Sequence, residues 1–90
     1  MVIEYAANEY RLPLLIYPNP ANYVVNIDFP ENYHVFNTKI EIIDINGKTM
    51  LKSKLSSRST QLDVKGLTSG LYIVKIQNDK TFIIRRIIIQ

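Results

Sequence analysis

The stretch Gly66-Leu67-Thr68-Ser69-Gly70-Leu71-Tyr72-Ile73-Val74-Lys75-Ile76 decides how the rest of the chain is read. It reads as a tight turn running straight into a strand. Gly70 supplies a backbone position free to adopt positive φ or to let another segment pass close. Tyr72, Val74 and Ile76 then share one face, because side chains of a pleated strand alternate with a period of two. A Leu-x-x-Gly-x-Tyr corner before such a strand is a feature of β-sandwiches. There the Tyr ring is buried and its hydroxyl bonds back to backbone a few residues upstream, pinning the arch between sheets. Leu67 is then expected to plug the core at the arch, and Tyr72 to tie it down.

Working outward, Leu14 to Tyr17 is a short apolar run stopped by Pro18-Asn19-Pro20, a rigid extended turn with two backbone donors missing. Such a strand belongs at a sheet edge. Asn22 to Phe29 alternates, with Tyr23, Val25, Ile27 and Phe29 on one side. In Lys39 to Ile45, Ile40 and Ile42 are in phase while Ile43 and Ile45 are out of phase, which predicts a β-bulge or a strand covered on both faces. Asn46-Gly47, followed by Lys48, is the strongest hairpin signal and predicts a type I′ turn. Lys48 to Leu55 returns antiparallel, Thr60 to Val64 makes a short strand, and Thr81 to Gln90 forms the last. The expectation is an all-β fold, an immunoglobulin-like antiparallel β-sandwich of about seven strands over 14–90. Residues 1–13 read as a linker or lead-in.

Composition bounds the function. Ninety residues hold one domain, and 47% hydrophobic content argues against disorder. With no cysteine, neither a disulfide framework nor a thiolate metal site is available. No apolar run approaches the ~18 residues of a membrane span. Met1-Val2-Ile3-Glu4-Tyr5 lacks the features of a signal peptide. The chain is therefore expected to be either cytoplasmic or a piece of a longer exported precursor. Residues 1–44 carry six acids against two bases and residues 45–90 nine bases against two acids, −4 and +7, which sum to the net +3. Interleaving strands would make these halves complementary neighbours. No recognition helix or basic cluster with exposed aromatics is visible, so no nucleic-acid partner is expected.

Catalysis has little to work with. His34 is the only histidine and lacks a nucleophile context. Ser53 and Lys54 are adjacent on a strand and point to opposite faces. Asp44-Ile45-Asn46-Gly47 lacks the spaced ligands and distal Glu of a calcium loop. Three scattered glycines make no phosphate cradle. Tyr17, Tyr23 and Tyr72 are expected in strand or core positions, which leaves Tyr5, Tyr10 and Tyr33 for a sugar-stacking platform. No enzymatic activity, cofactor or metal is expected.

The last strand is the stranger feature, since Arg85-Arg86-Ile87-Ile88-Ile89-Gln90 ends on bare aliphatic residues where ends are usually polar. One reading is a central strand buried on both faces. The other is a terminus presented to a receptor, in a groove or by strand addition, with the arginines as charged flank or as gatekeepers against aggregation.

Together these pieces resemble the C-terminal sorting domains (type A) carried by cargo of the type IX secretion system of Bacteroidetes. The matching elements, in order, are Ile16-Tyr17-Pro18-Asn19-Pro20-Ala21, Asp44-Ile45-Asn46-Gly47-Lys48, Leu67 through Ile76 with Gly70 and Tyr72, and Arg85-Arg86-Ile87-Ile88-Ile89. They span residues 15–90 and end flush with the C-terminus. Arg in place of the more usual Lys near the end keeps the charge. The resemblance implies an address label rather than a catalyst, taken to the periplasm by a Sec signal. An outer-membrane translocon and its shuttle protein would then recognise it. A sortase-like cell-surface protease would remove it upstream of the sandwich, within the lead-in, and join the cargo to the surface. Recognition would fall on Arg85 to Gln90, with the Gly47 and Gly70 turns holding the shape. The alternatives from other classes are a passive or adhesive immunoglobulin-like spacer and a carbohydrate-binding module of a surface protein. Exposed strand edges also predict an edge-paired or strand-swapped dimer of the isolated domain.

Overall fold

The computed structural model describes residues 14–55 and 57–90. The lead-in, residues 1–13, with Tyr5 and Tyr10, lies outside the described residues. Seven strands follow in chain order: β1 (Leu15–Tyr17), β2 (Val24–Asp28), β3 (Lys39–Ile43), β4 (Thr49–Lys54), β5 (Ser59–Asp63), β6 (Gly70–Gln77) and β7 (Phe82–Ile89). They form two antiparallel sheets, one ordered β1-β2-β5 and the other β4-β3-β6-β7. This is the expected all-β sandwich. Its β-branched runs bury alternate side chains between the sheets. Val25, Ile27 and Leu62 from the first sheet meet Ile40, Ile42, Tyr72, Val74, Ile76, Ile83, Ile87 and Ile89 from the second in one core.

The arch forms as its residues dictate. Gly70 takes φ +153°, a backbone conformation that side chains with a Cβ rarely adopt. Tyr72 is buried, and its hydroxyl donates to the Thr68 carbonyl at 2.7 Å. That is the corner hydrogen bond, closing the crossing from β5 to β6. Leu67 is partly buried against the core, and its amide donates to the Val64 carbonyl at 2.9 Å. Tyr72→Phe is expected to cost about 1 kcal/mol in chemical denaturation, since one net hydrogen bond is removed while the ring stays packed. A cost near zero would show that the corner bond contributes nothing.

The Asn46-Gly47 hairpin is present but differs from the type I′ expectation. Gly47 has φ +85°, whereas Asn46 is not among the residues at positive φ. The Gly47 amide donates to the Asp44 carbonyl at 3.0 Å and the Asp44 amide to the Lys48 carbonyl at 2.9 Å. This is a three-residue loop closed by a glycine bulge. Asp44 explains the choice, because its Oδ1 accepts from the amides of Asn46 and Lys48, both at 2.9 Å, and fixes the first turn. The register shift between Ile42 and Ile43 against β4 is the bulge that the phase slip predicts, and Ile45 points to solvent.

Two tyrosines, Tyr23 and Tyr33, fall elsewhere than expected. Tyr17 lies in a strand as expected and is 44% exposed, whereas Tyr23 is in neither strand nor core and is 68% exposed. Tyr17 sits on an edge strand with its hydroxyl on Asp28 Oδ2 at 2.7 Å. That hydrogen bond to a carboxylate, with lesser desolvation and charge effects, raises the phenol's pKa above its ordinary value. Tyr23 precedes β2, where the alternation does not hold. Tyr33, read as free, is buried: its ring lies 4.6 Å from Phe29 and its hydroxyl 2.8 Å from Thr81 Oγ1. With Tyr33 in the core, the expected platform of Tyr5, Tyr10 and Tyr33 loses its one member among the described residues.

Candidate functional site

The candidate site is the terminal strand and what holds it. β7 is the outer strand of the four-stranded sheet, paired with β6 from Gly70↔Ile89 to Gln77↔Phe82. It is therefore neither central nor buried on both faces, which corrects the first reading of this segment. Pleating separates its residues into two rows. Ile83, Ile87 and Ile89 are buried in the core, the last two at 0% and 1% exposure. Phe82, Ile84, Arg86, Ile88 and Gln90 are exposed. Arg85 falls in the inward row but stays exposed, and its Nη1 donates to the Ile84 carbonyl at 3.1 Å. An inward-pointing charge on an edge strand is a recognised guard against edge pairing.

The outer flank of β7 is held by the proline motif. Ala21, fully buried, makes a parallel bridge with Ile89. Its amide donates to the Ile88 carbonyl and its carbonyl accepts from the Gln90 amide, both at 2.8 Å. Asn19 adds its side chain, with Oδ1 accepting from the Ile88 amide at 3.0 Å and Nδ2 reaching the Arg86 carbonyl at 3.5 Å. The chemistry of the motif follows. Pro18 and Pro20 have no amide hydrogen and so compete for no acceptor on the strand. Asn19, between them, presents both a donor and an acceptor. The two ends of the domain are thus clasped, and Gly70 on the other side of β7 faces Ile89.

The structure therefore brings Pro18, Asn19, Pro20, Gly70 and Arg85 to Gln90 together. Tyr72 is directly opposite Ile87 in the β6–β7 ladder, while Leu67 belongs to the arch that leads into β6. Asn46, Gly47 and Lys48 lie in the β3–β4 connection, away from β7 in the sheet order. Sequence reasoning assigned Asn19 to a turn and missed its grip on the last strand. It also missed Asn78, whose Nδ2 donates to the His34 carbonyl at 2.7 Å and Thr38 Oγ1 at 3.0 Å. Asn78 Oδ1 accepts from the amides of Lys80 and Thr81 at 2.8 Å, so the β6–β7 turn is tied to the β2–β3 loop. An Asn opening a four-residue turn is the only local signal of that role.

The model of the secretion system C-terminal sorting domain family matches residues 15–90. No curated protein matches the chain. Among solved structures, the chain is similar in fold to part of PorZ of Porphyromonas gingivalis. The TM-score is 0.64 at 19% identity, over 87% of this chain and 11% of the PorZ chain. The structural report on that protein describes it as an essential bacterial surface component of the type-IX secretion system. The sandwich, its terminal strand and the matched span converge: the chain belongs to the secretion system C-terminal sorting domain family and is a sorting signal of the type IX secretion system.

Proposed function

We propose that the folded sandwich is a non-catalytic address, read by an outer-membrane translocon and a shuttle protein of the type IX system. A sortase-like surface protease then removes it within residues 1–13 and leaves the cargo anchored at the cell surface. The observation that carries this reading is the division of labour in β7. Ile87 and Ile89 complete the core while Arg86, Ile88 and Gln90 stand outside it. The address then exists only on the folded domain, and the exposed members of Arg85 to Gln90 are what a receptor meets. Arg85 blunts the strand edge.

The test is the C-terminal mass of a fluorescent cargo fused between a Sec signal and residues 1–90. It is expressed in a bacterium with the type IX machinery and recovered from the cell surface. The expected mature cargo ends within residues 1–13 and, in a strain without the protease, keeps all 90 residues. Surface cargo that retains the domain in both strains would contradict cleavage.

A further inference from the structure

We infer that the sorting machinery reads the outward side-chain face of the four-stranded sheet, and that its partner there is an acidic protein surface with an apolar centre; this rests on the sorting reading above. The first observation is that the backbone flank of β7 is occupied over its C-terminal end, from the Arg86 carbonyl to the Gln90 amide. The Ile84 carbonyl is engaged by Arg85, and the Arg86 carbonyl, Ile88 amide and carbonyl and Gln90 amide by Asn19 and Ala21. Strand addition needs those same groups. A receptor at the terminus therefore meets side chains rather than a free strand edge.

The second observation is what the face offers. Its register rows, running from β4 through β3 and β6 to β7, are Lys54–Lys39–Gln77–Phe82 and Lys52–Glu41–Lys75–Ile84. The next rows are Ile43–Ile73–Arg86 and Leu71–Ile88. One half is therefore aliphatic around Arg86, with Leu71, Ile84 and Ile88 exposed at 43–46%. The other half is basic. Glu41 is the single acid in these rows and is taken by Lys75 at 3.3 Å, the one ion pair among the described residues. Lys39 and Lys54 stand directly opposite each other, an arrangement that is unfavourable without a partner. An apolar centre flanked by cations that have no carboxylate partner among the described residues fits an apolar surface ringed by carboxylates, since complementary charge favours encounter and orientation. A lipid surface fits less well. The aliphatic side chains are more than half covered by the sheet they sit on, whereas interfacial anchoring inserts an apolar face about 5–10 Å deep.

The experiment compares surface export of the Sec-signal, fluorescent-protein and 1–90 fusion for the native domain and three variants. One carries Leu71→Ser with Ile88→Ser, one Lys52→Glu with Lys54→Glu, and one the charge-matched change Lys65→Glu with Lys80→Glu off the face. Each purified domain is first checked for cooperative thermal unfolding. Loss of about tenfold or more of export in both face variants, as removal of hot-spot contacts would give, with the off-face variant exporting at the native level, supports the inference. Native export by the folded face variants overturns it. So does equal loss in the off-face variant, which would make net charge the readout. Should the serine variant fail to fold, the exposed lysine pair carries the test alone. Sedimentation of the native domain with phosphatidylglycerol vesicles, lost on Lys52→Glu with Lys54→Glu, would assign the face to lipid and also overturn it. Failure of the native fusion to leave the periplasm removes the sorting reading and this inference with it.

Discussion

Deleting residues 87–90 is expected to abolish cooperative unfolding of the domain. Ile87 and Ile89 are almost wholly removed from solvent in the core. Truncating a buried Ile typically costs about 2–5 kcal/mol, so losing two costs about 4–10 kcal/mol. A domain of this size has a total stability of only about 5–15 kcal/mol. The deletion also strips the Ala21 and Asn19 partners from the proline motif and exposes the inner edge of β6. Circular dichroism during heating measures the outcome. A truncated domain that still melted sharply, near the native midpoint, would show that the last four residues are peripheral to the fold. The consequence for function is practical. Retention of a terminally truncated cargo in the periplasm reports loss of folding as much as loss of an address, and only changes on the exposed row separate the two.

Gly70→Val is the second large effect, expected to destabilise by about 1–3 kcal/mol, the cost of holding a side-chain-bearing residue in a sparsely populated backbone region. A Cβ built on Gly70 meets nothing within 4 Å, so the penalty is torsional and not a clash. At φ +153°, a β-branched residue is strained whatever the space around it. For a domain of this length, each kcal/mol moves the midpoint by roughly 4–8 °C. Because Gly70 pairs with Ile89, the strain falls on the ladder that holds the terminus. An unchanged midpoint would mean that the turn relaxes to an ordinary φ, and that the glycine is not required for the arch.

The elements legible in the sequence are those fixed by local chemistry. The Leu67–Tyr72 corner has a glycine that needs an unusual φ and a tyrosine that needs an acceptor, and both needs are met within a few residues. The slip from Ile42 to Ile43 marks a break in period-two alternation, and the register shift against β4 decides for the bulge over a strand covered on both faces. What stayed hidden depends on partners far along the chain. Tyr33 sits in a loop whose composition says exposure. Burial comes from Phe29 and from Thr81, 48 residues away. Asn19 looks like a turn residue, and its partners lie on β7, where the Ile88 amide donates to it and the Arg86 carbonyl accepts from it.

The terminal strand shows the same division. Ile87-Ile88-Ile89 is uniformly aliphatic, so periodicity cannot say which residues face the core. Pairing with β6 decides it, placing Ile87 and Ile89 inward and Ile88 outward. The hairpin after β3 was legible as a turn but not as a type, because Asp44, outside the Asn-Gly pair, selects the three-residue loop.

The central claim is that this folded domain sends its carrier through the type IX system. The most direct measurement is surface fluorescence of a cargo with a Sec signal and residues 1–90, compared between a competent strain and one lacking the outer-membrane translocon. Cargo at the surface or in the medium of the first, and trapped in the periplasm of the second, is the predicted result. Folded cargo held in the periplasm of both strains would contradict it.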